Sequence, residues 1–539
     1  MTVRPSLAAK SKESPIHVDP AFHPGCIQLT DINPSSPLTE FEVFYQSRSR
    51  LELLVDDWLV ERFEGDAALH LHEPLGKEVV LMNDKAWEDT SLGYVSVLKD
   101  GDLFRMYYRG HHHGSGEDAR GEPMCYAESR DGIRWTKPNL GLFRFRGSSD
   151  NNIVLGGDGR KYLPTDKWQG KLGTHTGLGW RGDMVPFIDT SPTVKSDARY
   201  KALVRGARGA HQIPGNYTDY GMYPFKSPDG LHWTLMTEKP VITKGRFDSQ
   251  NLAFWDPVRG RYVAFVRDLL KGYMRNVHMA VSDDFVNWTE PVPLKYSDKV
   301  DREMYTNGVL PYERAPHILI AFPTEYTDRF AVAQVHPILM TSRDGGYSFL
   351  RRREPLIPCS APRQRDGNRA NYLAHGLVRG NEGEYFVYAT EGYGYEESDA
   401  LPEWKKKSFV PRMRLRRFTF RVDGFVSVRS GPDGGTIVTK PFVLNGSQLE
   451  LNYIAWPRPA GEIRVEIQDA NGEPLKGLTL NDCKPLRGDE IDHPVTWQSG
   501  LTPGDYAGKP VRLQFQLKHA DLFSFRFAAG RITKNGTTG

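Results

Sequence analysis

One short pattern recurs along the chain and limits its fold more than any other feature. Each copy has a serine, an aspartate two residues later and an aromatic residue a few positions further on. The copies are Ser129–Trp135, Ser227–Trp233, Ser282–Trp288 and Ser342–Phe349, with a looser fifth copy at Val422–Phe425. An Asp-Gly pair in such a pattern predicts a tight hairpin, because Asp accepts backbone N–H bonds and Gly tolerates a positive φ. Repeated hairpins indicate repeated β-sheets.

Two segments with the composition of strands, joined by a short polar turn, precede each hairpin. The second segment of each pair is Phe104–Arg109, Tyr200–Arg205, Tyr262–Arg267, His317–Phe322 or Tyr385–Thr390. Each unit therefore has four antiparallel strands, and five units between about residues 80 and 430 predict a five-bladed β-propeller. The segment Leu51–Val80 is a candidate for the strand that closes the ring. A large β-sandwich or a parallel β-helix is the alternative, although a β-helix requires shorter and more regular rungs.

The chain of 539 residues divides into three parts in this interpretation. Residues 1–50 are rich in Pro, Ser and charge and are expected to form an N-terminal arm. Residues 51–430 contain the repeats. In residues 431–539 the alternation in IRVEIQD and VRLQFQLK predicts a separate β-sandwich. The predicted fold class is all-β, a five-bladed β-propeller followed by a C-terminal β-sandwich.

Charge and composition argue against several classes of protein. The 70 basic and 67 acidic residues nearly cancel, which is not typical of a nucleic-acid binder. No run of eighteen apolar residues occurs, so no membrane partner is expected. The sequence lacks GxGxxG, a phosphate-binding P-loop and GxSxG, and no cofactor is expected.

Metal binding and location are predicted from equally simple features. The four cysteines are far apart, and the adjacent His111–His113 are interpreted as a solvated loop, so no metal site is predicted, although an axial ion is left open. The N-terminus has no apolar signal segment, which favours the cytoplasm, or a secreted or periplasmic location if a signal was removed. The sequence is also compatible with a homo-oligomer.

Polar side chains lie just upstream of the first strand of each repeat. The first strands of a propeller converge on its axis, so these side chains are expected to share one pocket. Carboxylates, amides and aromatic rings are the groups that hold a sugar and hydrolyse its linkage. Glu88 and Asp248 are predicted to be the central catalytic pair, with Glu303 as the acid or as a partner that tunes a pKa. The predicted substrate-binding residues are Trp87, Asp89, His175, Asp183, Asp189, Asn251, Asn307, Arg369, Asn371 and His375.

Some of these residues have a structural alternative. Glu88 or Asp89 can cap a turn or pair with an arginine. Asp189 falls in the turn after a first strand and is more easily explained as a turn residue. The arginines that end three of the second strands are expected to form pairs between blades rather than to bind substrate. They are Arg109, Arg205 and Arg267.

The segments WEDTS, YYRG, FDSQNLAFWD, REMYTN and RVDGFVSV resemble the five-bladed β-propeller glycoside hydrolases, a group of invertases, fructan hydrolases and arabinanases. The likeness covers about residues 50 to 530 and is greatest to uncharacterised family thirty-two-like proteins of bacteria. In that group an acidic residue on each of the first three blades serves as nucleophile or base, as transition-state stabiliser or pKa modulator, and as general acid. By position, the resemblance implies Glu88 or Asp89, Asp183 or Asp189, and Asp248. The motifs WMNDPNG, Arg-Asp-Pro and Glu-Cys of that group are missing, so the substrate stays open.

These observations favour a glycoside hydrolase that acts on a furanoside or a related oligo- or polysaccharide, with a carbohydrate as its partner. A non-catalytic carbohydrate-binding propeller is one alternative. A sialidase-like hydrolase is another, because SRDGGYSF matches the aspartate box of that group. The sialidase alternative requires three arginines around a substrate carboxylate, a tyrosine nucleophile beside a glutamate and a sixth blade.

Overall fold

A computed structural model describes residues 27–28, 50–88, 92–110, 122–156, 163–164, 183–206, 220–270, 274–298, 300–327, 334–358, 372–380, 383–391, 413–457 and 460–528. These residues form an all-β protein, as predicted. The helices within these ranges are two short 3-10 turns, Ser196–Ala198 and Pro503–Tyr506. None of them is long or apolar enough to span a membrane.

The strands are numbered in chain order. The first half comprises β1 (Ile27–Gln28), β2 (Leu51–Leu53), β3 (Val60–Gly65), β4 (Ala68–Leu71), β5 (Leu75–Met82), β6 (Gly93–Asp100), β7 (Leu103–Arg109), β8 (Met124–Ser129), β9 (Phe143–Arg144), β10 (Ile153–Leu155), β11 (Leu163–Pro164), β12 (Phe187–Ile188), β13 (Tyr200–Arg205), β14 (Met222–Ser227), β15 (Thr234–Leu235), β16 (Leu252–Asp256), β17 (Arg261–Leu270), β18 (Met274–Ser282) and β19 (Val292–Pro293). The second half comprises β20 (Lys295–Tyr296), β21 (Glu303–Met304), β22 (Val309–Tyr312), β23 (Ala315–Ala321), β24 (Thr324–Thr327), β25 (Gln334–Ser342), β26 (Ser348–Pro355), β27 (Tyr372–Leu373), β28 (Val378–Arg379), β29 (Glu384–Glu391), β30 (Arg414–Arg421), β31 (Val426–Ser430), β32 (Gly435–Thr439), β33 (Phe442–Val443), β34 (Gln448–Ala455), β35 (Glu462–Asp469), β36 (Gly488–Pro494), β37 (Pro510–Lys518) and β38 (Ala520–Ala528).

The chain folds into two compact units. The first, here called the repeat unit, comprises Leu71–Val426, and the second, the two-sheet unit, combines the chain up to His70 with the chain from Ser427. Residues 51–70 therefore lie in the two-sheet unit rather than with the repeats, because β2 pairs with β38 and β3 pairs with β32. Of the N-terminal arm over residues 1–50, the structure describes only β1 and residue 50.

Among the described residues, the repeat unit contains five sheets, here numbered in chain order, and only sheet 5 takes one strand from a distant part of the chain. They are sheet 1 (β10-β8-β7-β6), sheet 2 (β12-β13-β14-β15), sheet 3 (β16-β17-β18-β19), sheet 4 (β20-β26-β25-β23-β22, with β21 and β24) and sheet 5 (β27-β29-β30-β5, with β28). A short ribbon of β9 and β11 adds to them. The strand β5 comes from the start of the unit and pairs with β30 near its end, and it overlaps Leu51–Val80, the segment predicted to supply a closing strand.

The recurring serine and aspartate build the turn that their spacing predicts. In the first copy Asp131 Oδ1 accepts the backbone N–H groups of Ile133 and Arg134 at 2.8 and 2.7 Å. The Trp135 indole donates to the carbonyl of Gly132 at 3.1 Å, and Gly132 has a φ of 72°. The same contacts recur in the copies that end at Trp233 and Trp288. The predicted hairpin is thus confirmed in these three copies.

Each sheet contacts the next, and sheet 5 contacts sheet 1. The Tyr107 hydroxyl of sheet 1 donates to the carbonyl of Gly230 in sheet 2 at 3.0 Å, and the Tyr388 hydroxyl of sheet 5 donates to that of Gly132 in sheet 1 at 2.7 Å. The remaining neighbours meet at Tyr262 with Asp189, Phe265 with Phe349 and Tyr312 with Tyr385. The contacts between sheets therefore form a closed cycle, in which each sheet touches two others.

The two-sheet unit has one six-stranded sheet of β1-β33-β37-β32-β3 with β35 and another of β36-β34-β38-β31-β4 with β2. Apolar side chains alternate along its long strands, as in β37, where every second residue is buried. Those from both sheets share one buried core that includes Leu451, Val465, Phe515 and Phe525. The alternation in the sequence predicted these strands because one face of each is apolar.

Candidate active site

The antiparallel strands of the repeat unit bring two kinds of side chain to one edge. The second strand of a sheet ends beside the start of the first, as Arg109 at the end of β7 pairs with Gly93 at the start of β6. Residues just before a first strand therefore lie near the arginine that ends the second strand. Asp183 precedes β12 and Asp248 precedes β16, and both carboxylates approach Arg205, the last residue of β13.

Arg205 joins the two aspartates across sheets 2 and 3. Its Nε and Nη2 donate to Asp183 Oδ2 at 2.9 and 2.8 Å, and its Nη1 donates to Asp248 Oδ1 at 3.0 Å. The pairing predicted for Arg205 is thus observed as a contact between sheets 2 and 3. The guanidinium also sets the relative position of two residues that the sequence placed in the pocket.

Asp183 is a buried carboxyl group with a strongly shifted pKa. Burial raises its pKa to about 6, although Arg205 and Arg109 act in the opposite direction, and the negative charges of Glu122 and Asp248 add to the increase. Its Oδ1 is buried and accepts no hydrogen bond from the residues that the structure describes. A carboxyl group in this environment holds its proton to a higher pH than an ordinary aspartate.

Asp248, in contrast to Asp183, is largely exposed to solvent. Its side chain is 69% exposed, although Arg205 holds one of its oxygens. Arg267 of β17 lies further from Asp248, with Nη2 at 3.9 Å from Oδ2. Two aspartates on one guanidinium therefore differ in solvent access, one enclosed and one open to a ligand.

Tyr94, on the first strand of sheet 1, contacts residues of two sheets near the Arg205-bridged aspartates. It has a φ of 46°, which is uncommon for a residue with a large side chain. Its side chain forms a hydrogen bond with Tyr305 of sheet 4, and the Arg109 guanidinium lies over its ring at 4.4 Å. Burial and the Tyr305 hydroxyl raise the pKa of Tyr94 well above its usual value, so it stays a neutral hydrogen-bonding group.

Glu88 has the contacts of a structural carboxylate. Its side chain is fully buried, and Oε2 accepts the backbone N–H groups of Asp84 and Lys85 and the Lys137 ammonium at 2.8 Å. Its Oε1 accepts the Tyr108 hydroxyl at 2.6 Å. Both oxygens are occupied by the protein, so the turn-capping alternative explains Glu88 better than the predicted catalytic role.

Glu303 lies on β21 of sheet 4 and forms an ion pair with Arg275. Arg275 Nη1 donates to its Oε2 at 2.6 Å, and the Arg275 guanidinium lies over the rings of Tyr305 and Tyr326 at 5.3 and 4.9 Å. Its side chain is 16% exposed. Glu303 is therefore near Tyr305 but is not part of the Asp183–Arg205–Asp248 group, and its role stays a prediction.

Three predicted substrate-binding residues use their polar atoms within the protein. Asp189 accepts bonds from Lys201, the Tyr262 hydroxyl and the backbone of Ser191, which is the turn role that its position indicated. The amide of Asn251 binds the carbonyls of Phe247 and Ser249 and the N–H of Arg267. The Asn307 amide likewise binds the carbonyls of Gln250 and Phe265. These contacts give the three side chains structural partners within the protein, and their binding role stays a prediction.

His375 and Trp87 also have protein partners. His375 Nε2 lies 3.2 Å from the carbonyl of Val309, its backbone pairs with Val95 and Val97, and burial lowers its pKa to about 4. It therefore joins sheets 1, 4 and 5 as a neutral imidazole. The Trp87 indole donates to Asn152 Oδ1 at 2.8 Å.

The remaining predicted residues, Asp89, His175, Arg369 and Asn371, lie outside the described residues, as do His111–His113. Within the described ranges, His, Cys, Asp and Glu side chains form no group of three or more that could hold a metal ion.

The sequence predicted that Arg205 forms a structural ion pair, and it gave no reason to select Tyr94. The available signal for Arg205 was its position, because Arg109, Arg205 and Arg267 occupy equivalent places at the ends of three successive repeats. Tyr94 had no such signal, since its role depends on a contact with Tyr305, which is distant in sequence.

No family model matches the chain, and no curated protein matches it. Solved structures give distant likenesses. An N-acetylgalactosamine deacetylase from F. plautii, in complex with blood group B trisaccharide, is 14% identical, covers 65% of this chain and 95% of its own and has a TM-score of 0.42. A glycosyl hydrolase from Bacteroides ovatus is 13% identical (69% and 97% covered, TM-score 0.37), and an endo-arabinase from Bacteroides thetaiotaomicron is 9% identical (58% and 93% covered, TM-score 0.35). At this distance the function has to follow from the side chains of the chain itself.

Proposed function

We propose that the repeat unit is a glycoside hydrolase domain. In this proposal its five sheets are the blades of a β-propeller and the two-sheet unit is a β-sandwich. The closed cycle of contacts between sheets supports the propeller, and the shared core of the two sheets supports the sandwich. Asp183 and Asp248, with Arg205 between them, are the catalytic group.

The Arg205-bridged pair of aspartates is the observation that carries the proposal. Hydrolysis of a glycosidic bond requires one carboxylic acid that protonates the leaving oxygen and one carboxylate that attacks the anomeric carbon or activates water. Two carboxyl groups in contrasting environments can divide these roles. Asp183, with a pKa of about 6, supplies the proton, and the exposed Asp248 acts at the anomeric carbon.

A purely structural ion pair would leave one feature of this site unexplained. Asp183 Oδ1 is buried without a hydrogen-bond partner among the described residues, which is costly for a structural carboxylate. If Asp183 Oδ1 carries the proton that is donated to the glycosidic oxygen, the substrate is the hydrogen-bond partner that this atom lacks. A furanoside or a related oligosaccharide is the proposed substrate class, and this part rests on the resemblance of the sequence.

The test is hydrolysis of a panel of aryl furanosides and pyranosides by the wild type and by Asp183→Asn and Asp248→Asn. Each substitution should lower kcat by about 10²- to 10⁴-fold, the usual contribution of a general acid or base. Asp197→Asn is the control, because Asp197 pairs with Lys226 at the surface of sheet 2. Full activity in both site variants, with folding checked by circular dichroism, would refute the proposal. Sugar binding without turnover by the wild type would favour the non-catalytic propeller.

A further inference from the structure

We propose that Arg267 binds a carboxylate of the substrate, so that the sugar at this site is a uronic acid. The inference rests on the proposed function for the position of the site, and it adds the chemical class of the sugar.

The Arg267 guanidinium is anchored through its Nε, whereas its Nη1 and Nη2 groups form no hydrogen bond with the described residues. Its side chain is only 10% exposed, its Nε donates to the carbonyl of Arg246 at 2.5 Å, and its backbone N–H donates to Asn251 Oδ1 at 2.9 Å. The Nη1 and Nη2 groups have no hydrogen-bond acceptor among the residues that the structure describes. The nearest anion is Asp248, and the 3.9 Å between Nη2 and Oδ2 is beyond hydrogen-bond length.

The two other arginines at equivalent positions are already engaged. Arg205 uses Nε, Nη1 and Nη2 on Asp183 and Asp248, and Arg109 lies against the ring of Tyr94. The Nη1 and Nη2 groups of Arg267 bond to no described residue, so they stay available to an acceptor from a ligand.

The unused edge favours a carboxylate over a hydroxyl group. Nη1 and Nη2 form a planar fork, which matches the two oxygens of a carboxylate in a bidentate arrangement.

The test compares sugars that differ only in a carboxylate. Binding of glucuronate and galacturonate, and of glucose and galactose, is measured by NMR titration on the wild type, Arg267→Ala and Arg267→Lys. The uronates should bind the wild type about tenfold more tightly than their neutral partners, because a charge-assisted hydrogen bond contributes more than a neutral one. Arg267→Ala should remove this preference, and Arg267→Lys should retain only part of it.

Arg134→Ala is the matched control, because the Arg134 side chain is 90% exposed in the outer turn of sheet 1 and its loss should leave the preference intact. Equal affinity of the wild type for each uronate and its neutral partner would overturn the inference, and so would a preference that survives in Arg267→Ala. These monosaccharides contain no glycosidic bond, so the result does not depend on hydrolysis. A uronate preference in a protein that cleaves none of the aryl glycosides, with aryl glucuronides and galacturonides added to the panel, would refute the proposed activity alone.

Discussion

At the scale of single residues, one guanidinium gives two aspartates different properties. Arg205 bonds to both, but burial dominates at Asp183, whereas Asp248 stays open to solvent. An arginine beside a carboxyl group normally lowers its pKa, so the increase at Asp183 shows that the loss of hydration outweighs the ion pair. This contrast between neighbours, rather than the number of carboxylates, is what makes the group a candidate for acid–base chemistry.

The pKa of Asp183 predicts how activity depends on pH. The general acid is active when protonated, and the pKa of Asp183 is raised to about 6. We therefore expect kcat/KM to be high below about pH 6 and to fall about tenfold for each pH unit above it. The measurement is the pH profile of kcat/KM on the best aryl glycoside of the panel. A profile that stays flat from pH 5 to pH 8 would show that Asp183 is not the acid.

Glu88 should matter for stability and not for chemistry. The substitution Glu88→Gln removes the buried charge that faces Lys137, whose side chain is 9% exposed, and should lower the free energy of unfolding by about 3 kcal/mol. Asp84→Asn is the control, because Asp84 binds the same lysine from an exposed position and should cost about 1 kcal/mol or less. Urea unfolding measures both values. A large loss of kcat in folded Glu88→Gln would return Glu88 to the catalytic group.

The sequence predicted part of the site and missed part of it for a physical reason. Asp183 and Asp248 of the proposed site were among the candidates because both lie just before a first strand, and strand position is visible in a repeat. The burial of Glu88 was not predictable, because its partner Lys137 is 49 residues away and the two meet only in the folded sheet. Side-chain partners depend on tertiary contacts that one sequence does not reveal.

At the scale of elements, the recurring turn determines how the sheets pack. The pattern of serine, aspartate and aromatic residue predicted the hairpins because its hydrogen bonds are local. Contacts between sheets were not predictable in the same way, since the carbonyl of Gly230 accepts the Tyr107 hydroxyl from a different sheet. One glycine thus closes a turn of sheet 2 and provides a docking point for sheet 1.

This double role predicts an unequal effect of two glycine substitutions. Gly230 has a φ of 78°, and an added Cβ would lie 2.5 Å from the Tyr107 hydroxyl. Gly101 has a φ of 60° and no atom within 4 Å of an added Cβ. Gly101→Ala should cost about 1–2 kcal/mol from its left-handed backbone alone. Gly230→Ala should cost about 1–3 kcal/mol more, since it also disrupts the contact with sheet 1. Equal urea midpoints for the two variants would contradict the docking role.

At the scale of the whole repeat unit, the order of strands is more informative than their number. Sheets 1 to 4 are each built from a continuous stretch of chain, but sheet 5 takes its last strand, β5, from the start of the unit. The pairing of β5 with β30 therefore links the two ends of the unit. In the propeller that we propose, this pairing prevents the first and last blades from separating.

A disulfide across this pairing should stabilise the unit. Met82 and Arg414 are direct partners in the antiparallel pair of β5 and β30, a spacing that a disulfide can bridge. In the double variant Met82→Cys and Arg414→Cys, oxidation should raise the free energy of unfolding by about 2–5 kcal/mol, because it closes a very long loop. The same protein under reducing conditions and the two single variants are the controls. An unchanged urea midpoint after complete oxidation would mean that β5 and β30 stay together while the unit unfolds elsewhere, and that their pairing does not hold the five sheets closed.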